Sequence, residues 1–198
     1  AVSLVGGGRI PAPGEMSLAH NGVLFLDELP EFTKDATDGL RQPIEDGKIL
    51  ITRAAGKAEF PAKFMLVCAM NPCPCGYYNH PKKACTCSDN AVRKCPNRVS
   101  GPLLDRIDLQ IEITPVPFEE ISKTAPGEPS AAIRERVVAA RKIQEERYKN
   151  EKGIYCNAQM TPRLIAKYAV LDNTSLAMLK TAITRFDLSA RAYDRILK

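Results

Sequence analysis

Two continuous apolar runs stand out from a chain whose other apolar residues are spaced: Val23 to Leu26, and Phe64 to Met70. Each has the length and continuity of a strand buried on both faces of a parallel sheet. Gly22 precedes the first run and Pro30 stops it, while Pro72 stops the second. Between them Ala36, Leu40 and Ile44 recur four apart, predicting one helix from a Thr33 cap to Asp46-Gly47. Lys48 to Glu59 then alternates loosely around Ile49 and Ile51, which predicts a β-hairpin with Ala54-Ala55-Gly56-Lys57 as a basic tip. Leu109 to Ile113 is expected to form a further strand.

The periodicity changes after a stretch marked by Pro115, Pro117, Pro126, Gly127 and Pro129. Ser130 to Lys149 carries a helical stripe at Ile133, Val137 and Ala140, with Glu145 and Lys149 spaced as an ion pair. Thr161-Pro162 starts a second helix with Leu164, Ile165 and Tyr168 on its apolar side. A third has Leu176, Leu179, Ile183 and Phe186, and Ser189 caps a fourth that places Arg191 and Arg195 on one face. The expected organisation is an α/β part with a parallel sheet over 1–118, a linker over 119–129, and a small all-α bundle over 130–198.

The composition is that of an ordinary globular chain: 198 residues, 44% hydrophobic and 26% charged. A net charge of +5 permits contact with a nucleic acid or a nucleotide without requiring one. With no Trp and 6% aromatic residues, a base-stacking platform is not advertised. No apolar run approaches a membrane span and no secretory signal is visible, so a cytoplasmic protein with no membrane partner is expected. Seven cysteines in that setting point to reduced thiols or a metal site. Gly6-Gly7-Gly8 reads as a flexible loop, since the Lys-Ser/Thr of a P-loop does not follow it. The G-x-x-x-x-G-K-[ST] element occurs nowhere in the chain, so any nucleotide site in it is incomplete, and the chain is expected to start within a domain.

The chemistry concentrates where the apolar runs end. Asp27 and Glu28 follow the first run, and Asn71 follows the second. Ligands of open α/β sheets sit at the carboxyl ends of strands. A paired acid there suits nucleotide hydrolysis, with Asp27 holding a hydrated Mg²⁺ and Glu28 polarising the attacking water. The alternative is an apolar strand that exits into surface acids. Beyond Asn71 lie Cys73, Cys75, Cys85 and Cys87, with His80 and Cys95 nearby. Four thiolates could hold a tetrahedral Zn²⁺, although one residue lies between the paired ligands rather than the usual two to four; a loop of free, reduced thiols is the other reading. Arg106 stands between Asp105 and Asp108 as an exposed residue, either paired with one of them or offered to a phosphate.

Four long stretches together carry a resemblance: Pro13 to Phe32, Leu40 to Gly47, Ala69 to Gly76, and Ser100 to Asp108. In this order they resemble the magnesium-chelatase-related AAA+ ATPases, and among them the ComM/YifB competence subfamily. Leu188 to Leu197 is similar to that subfamily's C-terminal helical domain. The resemblance covers essentially the whole chain. It implies that Leu24 to Glu28 is a Walker B strand, with Asp27 serving Mg²⁺ and Glu28 the lytic water, and that Asn71 is a sensor 1 residue. It further implies that Arg106 is an arginine finger reaching a neighbouring subunit's nucleotide, and that Arg191 is the sensor 2 arginine. The 48–59 hairpin corresponds to one that related rings direct into their pore, making Arg53 and Lys57 the candidates for DNA phosphate contact. The implied function is a fragment of an ATP- and Mg²⁺-dependent ring motor, a hexamer acting on DNA as a branch-migrating helicase in uptake and recombination. This chain alone, lacking the Walker A lysine, is expected to be inactive. A chelatase-type metal-insertion subunit and a non-catalytic zinc- or DNA-binding module are the alternatives.

Overall fold

The computed structural model describes residues 2–54, 56–80, 82–113, 116 and 127–198. It divides into two units, Ala1–Pro115 and Val116–Lys198. Most of the expected linker, 119–126, lies outside the described residues.

The first unit opens with α1 (Val2–Val5), β1 (Gly6–Gly7), β2 (Ala12–Pro13) and α2 (Glu15–Leu18). The glycines are therefore not a flexible loop. β1 pairs antiparallel with β2, and a Cβ on Gly6 would stand 2.4 Å from the Ala12 carbonyl oxygen. Only glycine permits that approach, at a φ of +95°.

β3 (Val23–Leu26) lies parallel to the later strand β6 (Met65–Cys68), with Val23 opposite Met65 and Leu26 opposite Cys68. The register is clipped at its start. The Asn21 backbone N–H donates to the Lys63 carbonyl, and the Lys63 N–H donates to His20 Nδ1. The expectation of burial on both faces is corrected here. Leu24 and Leu26 enter the core, whereas Val23, Phe25, Met65 and Val67 are exposed, because among the described residues no element covers the second face.

The helix expected over 33–46 is two helices, α3 (Lys34–Asp38) and α4 (Arg41–Asp46). Pro43 has no N–H for the carbonyl four residues back, at Gly39, and its ring crowds that carbonyl. Thr33 occupies the N-cap position but makes no side-chain cap bond. The apolar spacing survives the break: Ala36 and Leu40 are buried and Ile44 packs against them. Gly47, at a φ of +65°, ends α4 and turns the chain into the hairpin β4 (Lys48–Arg53) and β5 (Gly56–Pro61). Its second strand runs past the expected end at Glu59, with Lys48 opposite Pro61 and Arg53 opposite Gly56. Ile49 and Ile51 face the core, and Lys48 Nζ is 2.9 Å from Glu59 Oε2 on the other face.

α5 (Asp89–Asn97) and α6 (Gly101–Leu104) complete this unit. Val99 and Leu103 join Leu4, Met16, Leu24, Leu26, Leu29 and Leu40 in one core. Full burial of each leucine contributes about 1.5–3 kcal/mol. Leu109 to Ile113 is not a strand: Leu109, Ile111 and Ile113 are 81%, 82% and 86% exposed. Their alternation suits a half-buried strand, which needs a neighbour to pair with, and among the described residues none is alongside.

Among the described residues the second unit holds four α-helices, Ser130–Tyr148, Pro162–Tyr168, Asn173–Phe186 and Ala190–Leu197, and no strand. Its core gathers Tyr148, Met160, Leu164 and Ile165, joined at the edge by Ile154, Tyr168 and Leu197. The long helix is thus anchored by its C-terminal end. Its expected stripe is not a buried seam, since Ile133 and Val137 are exposed. Lys149 pairs with Glu146, one residue nearer than the expected Glu145. Ser189 does cap the last helix, accepting from the Ala192 N–H at 3.2 Å.

Candidate functional site

The parallel pairing of β3 and β6 brings their carboxyl ends to one rim. The ladder continues past the strands: the Ala69 N–H donates to the Leu26 carbonyl at 2.9 Å, and the Leu29 N–H donates to the Ala69 carbonyl at 3.0 Å. Asp27 and Glu28 lie inside that hydrogen-bonded span, and Asn71 follows shortly after Ala69. All three are exposed. The backbone of Glu28 is left-handed, with φ 51° and ψ 44°, and its N–H donates to Asp27 Oδ1 at 2.8 Å. Such a conformation costs a non-glycine residue about 1–2 kcal/mol. It marks the turn after β3 as constrained, with Leu29 and Pro30 buried directly behind it. Two exposed carboxylates and a side-chain amide at one strand rim supply oxygen ligands for a hard cation and an acceptor for a water proton.

Arg106 is placed differently from its sequence-based expectation. It is not exposed: 8% of its side chain is accessible, Nη2 is 2.8 Å from Glu45 Oε1, and Nη1 donates to the Pro102 carbonyl at 2.6 Å. One partner that sequence reading missed is Glu45 on α4, within the stretch Leu40 to Gly47 that carries the resemblance. Its only signal was that stretch, since local spacing favours Asp105 and Asp108. Arg98 Nη1 is 2.8 Å from Glu31 Oε1, which ties the turn after Glu28 to the segment that leads into α6.

Arg53 and Lys57 are exposed beside the turn that joins the two strands of the hairpin. Arg53 folds back: Nη1 donates to the Thr52 carbonyl at 2.9 Å, and Nη2 would lie 3.2 Å from a Cβ on Gly7. Arg191 is exposed on the last helix of the second unit.

The four paired cysteines do converge. The sulfurs of Cys73, Cys75, Cys85 and Cys87 all lie within 4.8 Å of one another. Backbone N–H groups of Tyr77 and Thr86, with the neighbouring Cys73 and Cys87 thiols, bring the Cys75 thiol down to about 5. At Cys85 the Cys87 N–H favours the thiolate, but desolvation and sulfur contacts to Cys75, Cys73 and Cys87 prevail and push the thiol up to about 12. His80 and Cys95 lie outside the cage. His80 Nδ1 accepts the Lys82 and Lys83 N–H groups, and Cys95 Sγ donates to the Asn71 carbonyl at 3.7 Å.

Residues 1–121 match the family described as magnesium chelatase, subunit ChlI, and residues 127–198 match the family described as its C-terminal part. The chain belongs to the magnesium chelatase ChlI family. Among its relatives it is 46% identical to a protein named YifB of Salmonella typhimurium, over 99% of this chain and 38% of the relative. It is 47% identical to competence protein ComM of Haemophilus influenzae, over 99% of this chain and 37% of that protein. It is also 30% identical to the magnesium-chelatase 67 kDa subunit of Chlorobaculum parvum, over 58% of this chain and 15% of that protein. The chain thus spans less than two fifths of the length of these relatives. Among the described residues no helix is long and apolar enough to cross a membrane.

Proposed function

We propose that this chain forms part of an ATP-hydrolysing AAA+ ring motor that acts on DNA. The observation that carries the reading is the shared rim: an acid pair and an amide leave adjacent parallel strands at neighbouring positions. Mg²⁺ bound with ATP would neutralise the phosphate charge that grows as the γ-phosphoryl group leaves. Asp27 would hold the hydrated ion. Glu28 would take a proton from the attacking water, and Asn71 would orient that water or the γ-phosphate. Arg106 would serve a neighbouring subunit in a hexameric ring, and Arg191 would close on the nucleotide from the helical unit. The hairpin would carry Arg53 and Lys57 to DNA phosphates. With no phosphate-cradling glycine-lysine motif in its 198 residues, this chain alone should not turn over ATP.

The test is ATP turnover by the full-length protein, with and without branched DNA, beside its Glu28→Gln variant. The expected result is stimulation by DNA in the parent, and bound but unhydrolysed ATP in the variant. Undiminished turnover by Glu28→Gln would remove the general base. A second reading, insertion of metal into a porphyrin, is favoured by the similarity to the 67 kDa chelatase subunit. It predicts stimulated porphyrin metallation with partner subunits and no response to DNA.

A further inference from the structure

The cysteine cage sits in a loop that has almost nothing else to fold around. From Cys73 to Cys87, Cys73 alone among the described residues is wholly buried, while Tyr77 and Tyr78 are exposed. Yet two cysteine pairs from opposite ends of this loop meet. Cys73 Sγ is 3.4 Å from Cys75 Sγ and 3.7 Å from Cys85 Sγ, and Cys75 Sγ is 3.5 Å from Cys85 Sγ. Thiols are weak donors and weak acceptors, so contacts among them do not gather four sulfurs from an otherwise exposed loop. A metal does. Four sulfurs around one zinc at the usual bond length of about 2.3 Å stand about 3.8 Å apart, close to the separations seen.

We propose that Cys73, Cys75, Cys85 and Cys87 bind a single structural Zn²⁺ as a tetrathiolate site. The backbone is arranged for it. A turn closes from the Gly76 N–H to the Cys73 carbonyl at 3.0 Å, with Pro74 and Cys75 between. This turn lets two cysteines with a single residue between them offer their sulfurs to the same point. Gly76, at a φ of +77°, then reverses the chain directly after Cys75. Four protein sulfurs complete a tetrahedron, so no position is left for substrate, and the role is structural. Zinc and four thiolates leave two negative charges, and the loop itself carries Lys82 and Lys83. The sulfurs are too close together to surround a multi-iron cluster, and a tetrahedral sulfur set otherwise suits zinc or a lone iron.

The site closes the loop at the strand rim. Cys73 follows Asn71 with only Pro72 between them, and the chain returns through α5, where Cys95 Sγ donates to the Asn71 carbonyl. Zinc binding energy in such a loop is folding energy.

The test is metal content of the chain purified under reducing conditions, reconstituted with zinc and dialysed, together with the number of thiols open to a thiol reagent. One zinc per chain is expected, and four more thiols should react after chelation than before it. Cobalt in place of zinc should give the visible absorption of a tetrahedral thiolate site. The Cys85→Ser/Cys87→Ser variant should lose the zinc, and the Cys95→Ser/Cys156→Ser variant should keep it. Zinc below a tenth of an equivalent, iron in its place, an unchanged thiol count, or retention of zinc by the Cys85→Ser/Cys87→Ser variant would each overturn the assignment.

Discussion

Glu28 combines a demanding backbone with the side chain at the centre of the proposed chemistry. Its φ of 51° is adopted readily by glycine and reluctantly by glutamate. Glu28→Gly in this chain should therefore leave stability unchanged or raise it by up to about 1 kcal/mol, measured by thermal or denaturant unfolding. The same substitution in the full-length protein should abolish ATP turnover. A stability loss of several kcal/mol would show instead that the carboxylate holds the turn together. The acid pair and Asn71 were legible in the sequence because each ends a continuous apolar run, and strand ends are readable from the residues that stop them. Glu45 was not. Its meeting with Arg106 depends on how α4 packs near α6, and no local pattern encodes a contact between residues so far apart in the chain.

Among the elements, both strands of the parallel pair, the hairpin and the helices of the second unit were visible as patterns. What the patterns did not give was exposure. An apolar stripe signals a surface to be covered, but whether it is covered depends on neighbours, and Ile133, Val137, Phe25 and Leu109 are exposed here. The second unit instead relies on polar ties around Glu151, whose carboxylate lies 2.6 Å from Arg163 Nη2 and 3.2 Å from Lys167 Nζ. The Arg163 hydrogen bond, followed by that of Lys167, holds the Glu151 carboxyl below its ordinary 4.5. A carboxyl with a lowered folded-state value adds stability above its unfolded value, and that stability is lost as pH falls through the folded one. Glu151→Gln should accordingly lower the unfolding midpoint near neutral pH, with the gap from the parent narrowing below pH 4.5. A gap independent of pH would assign the effect to packing. The break between α3 and α4 shows the converse case: Pro43 was in plain view, and its effect four residues upstream explains why one apolar face belongs to two helices.

For the whole molecule, the decisive question is whether Arg106 works within its own chain or across a subunit boundary. Arg106→Ala in the full-length protein should stop turnover while sparing ATP binding. In mixed rings, the variant subunits should regain hydrolysis wherever a parent neighbour supplies its arginine. Loss of folding in the variant, with no recovery on mixing, would make its role structural, within its own chain. The zinc measurement is independent of this outcome, since its readout is metal content and thiol count.

The uncovered side of the β3–β6 ribbon has a practical effect on how these measurements must be made. Val23, Phe25, Met65 and Val67 form a greasy strip open to water while the chain is fully native. A fluorescent dye that seeks apolar surface should therefore glow before any heating, as it does with loosely packed states. A Phe25→Lys/Val67→Lys variant should dim that initial signal without loss of helix by circular dichroism. If it does not, the light comes from elsewhere; if it does, melting curves for this chain belong to dichroism rather than to dyes.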